Sequence, residues 1–451
     1  MVAPADFPQH VLRYRNQRAA ETVGLEGLSD AEWVDHFGRF QPLEGSFPEP
    51  LALRYHGHQF QSYNPGLGDG RGFLFAQLFD DRDRLLDLAT KGSGQTPWSR
   101  QGDGRLTLKG GVREVLATSV LEALGVNTSK SFSLIETGES LHRGDEPSPT
   151  RSAVLVRLSH SHIRIGTFQR QAHLQDIAAL SKLTAHVIEH YYPDCARESE
   201  AASAAALVEA VCAQVAATGA QWIAAGFVHG VLNTDNINLT GESFDYGPWR
   251  FLPHYDPGFT AAYFDQSGLY AFGRQPDTLA WNLTRLAECL LPLGQLGDME
   301  RALNTFFPAF QRALPAAFLA RLGLMSQNEA ADAALLEALF KFMGQSQAPY
   351  EQVLFDWRGG MESAARAANG PLAELYQGEA FAPVRAALAD FAPAENVNLG
   401  HSYFARPKPR TMLIDEVEAI WAPIAADDDW SVFDLVLAEI AEMGAVYGHL
   451  R

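Results

Sequence analysis

The densest chemistry in the chain lies in one polar stretch, His229-Gly-Val-Leu-Asn-Thr-Asp235-Asn236, followed by Asp245-Tyr246-Gly247. Asn236 and Asp245 offer amide and carboxylate oxygens, the donors that hard cations such as Mg²⁺ or Mn²⁺ take. Asp235, beside Asn236, is a carboxylate placed to accept a proton from an attacking hydroxyl. Upstream, Lys91 ends an apolar run, and Glu114 lies in a segment of helical periodicity. A lysine aimed at phosphates must be held, and a carboxylate on a packed helix does that. Gly68, Gly70 and Arg71 belong to the run GLGDGRG, and Asp103 and Gly104 to a second, GDGR. Glycine lets backbone N–H groups approach phosphate oxygens; an ordinary turn is the alternative for each run. Arg157 and Arg164 add planar, forked donors suited to phosphate, with ion pairs to acidic neighbours as the alternative.

These residues need elements to position them. Residues 73–79 and 85–90 read as strands joined by a DRDR turn, the second ending at Lys91. Val112, Leu116, Val120 and Leu124 recur at helical spacing, and Gly125 stops the run. Glu114 falls off that apolar stripe. Residues 131–136 and 153–158 read as further strands. Residues 203–225 are alanine-rich and helical, and helical patterns return over 279–291, 299–314 and 329–343. Beyond about 370 the Ala/Pro-rich chain is hard to read.

The order is glycine-rich loop, strand lysine, helix, strands, long helix, polar loop, acidic turn, helices. It predicts an α+β, two-lobed protein-kinase-like fold. Its parts are an N-terminal wrapping segment at 1–65, a strand-rich N-lobe at 66–160, a helical C-lobe at 161–345 and a C-terminal helical extension at 346–451. A kinase catalytic loop reads H-x-D-x-x-x-x-N before D-F-G. On that pattern Asn236 and Asp245 keep the metal-binding places, while the base position is Val231, which accepts no proton. Intact metal ligands argue against an inert nucleotide-binding scaffold. The missing base argues against ordinary γ-phosphoryl transfer, which leaves a phosphotransferase as the runner-up.

Bulk properties narrow the field. A formal net charge of −19 over 451 residues argues against coating nucleic acid or anionic membranes. Cys195, Cys212 and Cys289 are far apart, with no zinc or disulfide spacing. The start, MVAPADFPQH, lacks a signal-peptide pattern. No apolar run approaches the ~18 residues of a membrane span. A cytoplasmic location is the expectation.

The motifs together resemble the SelO family of pseudokinases, which act as protein adenylyltransferases. The stretches that carry the resemblance are HGHQF at 56–60, GDGRG at 68–72, KGSGQTPWSRQGDGR at 91–105, VREVLA at 112–117, VRLSHSHIRIG at 156–166, GFVHGVLNTDN at 226–236 and FDYGPWRFL at 244–252. They span roughly positions 50 to 300, and the chain beyond about 350 matches poorly. The resemblance implies AMP transfer from ATP to protein hydroxyls, with the nucleotide flipped so that its α-phosphate faces the acceptor; whether UTP competes stays open. It further implies that Gly68, Gly70, Arg71, Lys91, Asp103, Gly104, Arg157, Arg164 and Asp245 contact nucleotide. Glu114 positions Lys91, Asp235 accepts the proton, and Asn236 and Asp245 hold Mg²⁺ or Mn²⁺. Family members commonly end in a cysteine or selenocysteine motif. This chain has no cysteine after Cys289, so thiol redox control is not expected.

Overall fold

The computed structural model describes residues 1–144 and 146–450. Among the described residues are ten strands: β1 (Val11–Arg15), β2 (Gly57–Gln59), β3 (Ser62–Asn64), β4 (Leu74–Phe79), β5 (Leu85–Lys91), β6 (Leu106–Thr107), β7 (Lys130–Leu141), β8 (Thr150–Ser159), β9 (Phe227–His229) and β10 (Trp249–Phe251). Six form one sheet in the order β1-β7-β8-β5-β4, with β6 also on β8, and every pair is antiparallel. Helices dominate the rest of this mixed α/β chain.

The central strand β8 is buried on both faces, so its core reads as the continuous apolar run AVLV rather than as an alternation. On one face Phe132, Val154 and Val156 meet Trp33 and Phe37 of the helix Asp30–Phe37. On the other, Leu134, Ala153 and Leu155 meet Val112, Val115 and Leu116 of the helix Leu108–Ala123. The opening segment is therefore more than a loop-rich wrap. Its β1 pairs with β7 at the sheet edge, Val11 opposite Glu136, and its helix closes one core.

Cross-strand partners point to the same face. Lys91 lies opposite Leu155, and Ala89 opposite Arg157. Lys91, Leu155 and Arg157 thus share the face covered by the helix that carries Glu114.

The alanine-rich segment forms the helix Glu200–Ala224. By length and composition it is apolar enough to cross a membrane, a test that a buried core helix also passes. In the fold it packs against the helices Gln275–Leu290, Leu296–Leu303 and Phe306–Leu322, with Val208, Val211, Cys212 and Val215 buried. The predicted helix at 299–314 is two helices, because Asn304 ends one and Thr305 precedes the next. The helices Ile165–His173 and Ile177–Tyr191 were not foreseen.

The region beyond 370 ends in two long helices, Ile414–Asp427 and Ser431–Tyr447. Both pack on the helix Leu108–Ala123. Val417, Ile420, Phe433 and Ile440 belong to the same core as Val112 and Leu116. Glycine permits the close approach: a Cβ on Gly444 would lie 3.1 Å from Ala123 Cα.

Candidate nucleotide site

A cleft of about 680 Å³ opens between the sheet and the turn that follows β9. Its walls include Gly68, Gly70, Arg71, Lys91, Asp103, Gly104, Arg157, Arg164, Asp235 and Asp245. Ten of the twelve predicted site residues thus line one space. Glu114 and Asn236 do not line it, but each is bonded to a residue that does.

Asp245 is the hub. Its Oδ1 accepts from Lys91 Nζ at 3.0 Å and from Arg157 Nη1 at 3.2 Å, and its Oδ2 accepts from Asn236 Nδ2 at 3.1 Å. Burial opposes its ionisation, but Lys91, Arg157 and Arg164 overcome that and hold its carboxyl well below the usual range. Its backbone lies in the left-handed region at φ 62°. That conformation is uncommon for a residue with a Cβ and persists where the surroundings impose it, often at functional sites.

Lys91 Nζ also donates to Glu114 Oε1. Lys91 is 5% exposed and Glu114 1%, so each charge relies on the other for solvation. Arg164 stacks between Tyr55 and Phe244, at 4.2 and 5.1 Å from their ring centroids, and lies 3.6 Å from Asp69. Each arginine thus lines the cleft, and each has an acidic neighbour. Arg157 Nε and Glu114 Oε2 are buried without a hydrogen-bond partner among the described residues.

The glycine runs have a packing role that their sequence does not show. A Cβ on Gly68 would collide with Trp98, and one on Gly72 would meet the Thr90 carbonyl at 2.0 Å. Gly104 has φ 72° and abuts Gly94. The two runs are tied together, with Thr96 Oγ1 donating to the Asp69 carbonyl at 2.6 Å. Asp103 is held by Arg143 at 2.8 Å and accepts from the Arg105 N–H at 3.0 Å. Arg71 is exposed at the rim.

Asp235 differs from Asp245 in kind. Burial pushes its carboxyl up to about 6, against the pull of Arg164. Its Oδ1 is buried and has no hydrogen-bond partner among the described residues. A cleft-lining carboxyl raised by burial, with one acceptor oxygen left unfilled, suits a general base.

The sequence assigns no role to HGHQF. This stretch forms β2 and the start of the turn into β3, and it clamps the Asp235 turn. The His58 N–H donates to Thr234 Oγ1 at 2.7 Å, and Thr234 Oγ1 donates to Gln169 Oε1 at 2.6 Å. The Phe60 N–H donates to Asn233 Oδ1 at 3.0 Å. A Cβ on Gly57 would stand 3.0 Å from Asp235 Oδ1, so glycine keeps that carboxylate clear. The signal available was composition: two histidines and a glutamine around a glycine, in a segment otherwise read as loop.

Among the described residues, no three His, Cys, Asp or Glu side chains converge as a closed metal site. The Asp245 carboxylate and the Asn236 amide, whose oxygen a half-turn would bring to the same point, fit a cation of another type. Mg²⁺ and Mn²⁺ use one or two protein oxygens and complete their shell with phosphate and water.

A sequence model of the family described as Protein adenylyltransferase SelO matches residues 1–441. The Protein nucleotidyltransferase YdiU of Gloeobacter violaceus is 44% identical over 446 residues, covering 97% of this chain and 91% of that protein. That of Synechocystis sp. is 43% identical over 450 residues, covering 96% and 94%. That of Bradyrhizobium sp. strain BTAi1 is 39% identical over 384 residues, covering 83% and 76%. These matches correct the extent of the resemblance: it is not confined to positions 50 to 300, and the C-terminal helices, expected to match poorly, fall within it. The chain belongs to the SelO family of protein adenylyltransferases.

Proposed function

We propose that this chain transfers AMP from ATP to Ser, Thr or Tyr hydroxyls of proteins, on a two-lobed protein-kinase-like scaffold with ATP bound in the flipped orientation. The observation that carries the reading is Asp235. Its Oδ1 is buried and partnerless among the described residues, and the residue lines the same cleft as Lys91, Arg157 and Arg164, while the usual base position is Val231.

In this reading Asp235 takes the proton of the acceptor hydroxyl. The hydroxyl oxygen bonds to the α-phosphorus, the bond from that phosphorus to the α,β-bridging oxygen breaks, and pyrophosphate leaves. Lys91, fixed by Glu114, and the two arginines bind the departing phosphates through charge-assisted hydrogen bonds. A divalent cation held by Asp245 and Asn236 would neutralise phosphate charge. The glycine runs, with Arg71 at the rim, wall the nucleotide from the strand side. The flipped pose is supported by the arginines themselves. At 7% and 4% exposure they are deep in the cleft, where adenine, an uncharged ring, would leave guanidiniums poorly matched.

The test is label transfer. With ATP labelled at the α-phosphate, protein should become labelled, and with ATP labelled at the γ-phosphate it should not. Labelling from γ alone would return the chain to the phosphotransferases.

A further inference from the structure

Three aromatic side chains form a partly to largely exposed row that begins beside the Asp235 turn. Phe60 is 38% exposed, Phe264 46% and Tyr263 85%. Their ring centroids follow one another at 5.9 Å from Phe60 to Phe264 and 5.2 Å from Phe264 to Tyr263. The inner end of the row is fixed to the site. The Phe60 N–H and the Tyr270 hydroxyl both donate to Asn233 Oδ1, two residues before Asp235, and the rings of Phe60 and Tyr270 lie 4.9 Å apart.

The outer end is held as firmly. Asp265, 4% exposed, accepts from the Leu269 N–H at 2.9 Å, the Tyr270 N–H at 2.8 Å and the Ser267 hydroxyl at 3.3 Å. A buried carboxylate with three donors fixes this loop, so the aromatic rings next to it in sequence are displayed by a rigid frame. Large aromatics exposed together on such a frame mark contact surfaces.

We infer that the row Phe60–Phe264–Tyr263 is the docking platform for the protein substrate, receiving an apolar side chain close in sequence to the acceptor hydroxyl. This rests on the AMP-transfer reading, in which that hydroxyl must reach Asp235. The row spans about three residues of extended chain at roughly 3.3 Å each. An acceptor seated at Asp235 therefore lays its immediate neighbours across the rings. The row offers aromatic ring faces, so it selects for aliphatic or aromatic flanking residues.

The experiment uses the full chain and degenerate peptides with one fixed Ser, Thr or Tyr, each flanking position fixed in turn to every residue type, with α-labelled ATP. The wild type should prefer apolar residues at one or two positions within three of the acceptor. Tyr263→Ala/Phe264→Ala should erase that preference and raise KM for the best peptide about tenfold, a typical cost of losing an exposed aromatic anchor, with the ATP Kd unchanged. Unaltered selectivity in the double variant overturns the platform while leaving AMP transfer standing. So does a dimer that the double variant dissociates with selectivity intact, since the surface then serves self-association. A wild type that labels no peptide while binding ATP sinks the AMP-transfer reading and the platform with it.

Discussion

Replacing Asp235 by Asn separates the chemistry of the cleft from its stability. Burial raises this carboxyl from an ordinary value near 3.8 to about 6. A rise of that size corresponds to about 3 kcal/mol by which the folded protein disfavours the ionised form. Below the unfolded value of 3.8 the group is protonated in both states and costs nothing. Between 3.8 and about 6 the unfolded chain ionises first, and stability falls as pH rises. Above that window the full cost is present. Asparagine carries no charge at any pH, so Asp235→Asn should melt a few °C above the wild type at pH 8, by the size of that cost. The difference should shrink toward zero as pH falls to about 4. The same substitution removes the proton acceptor and should lower AMP transfer by about 10²–10⁴, and the acidic limb near pH 6 in the wild-type kcat/KM profile should be Asp235's. Melting curves at several pH values and α-label incorporation measure both effects. A variant that melts at or below the wild type at pH 8, or that keeps activity within a few-fold, refutes the assignment of Asp235 as a buried, ionisable base.

Asp245→Ala should abolish AMP transfer and also cost about 1–3 kcal/mol of stability at pH 7, because Lys91 and Arg157 lose a shared acceptor; activity within a few-fold of wild type would remove Asp245 from the site. The stabilisation from Asp245, whose carboxyl is depressed, is present above the usual carboxylate range and is lost as pH falls through its lowered value. Arg157→Ala should weaken ATP binding by about 1.5–3 kcal/mol and AMP binding far less, as measured by calorimetry; equal losses for both ligands would place Arg157 against the nucleoside. Cys195, Cys212 and Cys289 are buried, and burial pushes the thiols of Cys212 and Cys289 up to about 12. The rate should therefore be the same with and without reductant, and a large rise on reduction would overturn this.

The strands that carry Lys91 and Arg157 were readable from their apolar runs, but the face each side chain takes was not, because β5 and β8 are buried on both faces and show no alternation. Glu114 was readable only through its partner. It sits off the apolar stripe, yet the helix Leu108–Ala123 is enclosed by the sheet on one side and the C-terminal helices on the other, so a one-sided stripe does not describe it. Those C-terminal helices were illegible for a compositional reason: alanine is apolar enough for either face, and Pro423 interrupts the expected period inside a helix. The clamp of the β2–β3 hairpin on Thr234 was beyond reach altogether. It joins His58 to a residue 176 positions away, and no local pattern encodes a contact at that separation.

The charges of the cleft explain how a chain of net charge −19 can receive a polyanion. Long-range repulsion is set by the whole surface and is screened over about 8 Å at physiological salt. Binding is set by what stands inside that distance. There, Lys91, Arg157 and Arg164 are neutralised by Glu114, Asp245 and Asp69 and fixed by contacts that do not involve nucleotide. Cations already paired with carboxylates need little reorganisation when phosphates arrive, and preorganised donors are what make such contacts effective in a low-dielectric site. Asp245 is the carboxylate of the three that contacts two of these cations and Asn236 as well. Phosphate oxygens that take over Lys91 and Arg157 would leave Asp245 with spare acceptor capacity beside Asn236. Loading the nucleotide would thus free the oxygen pair proposed for the metal, so that Asp245, with its left-handed backbone, would serve both arrangements.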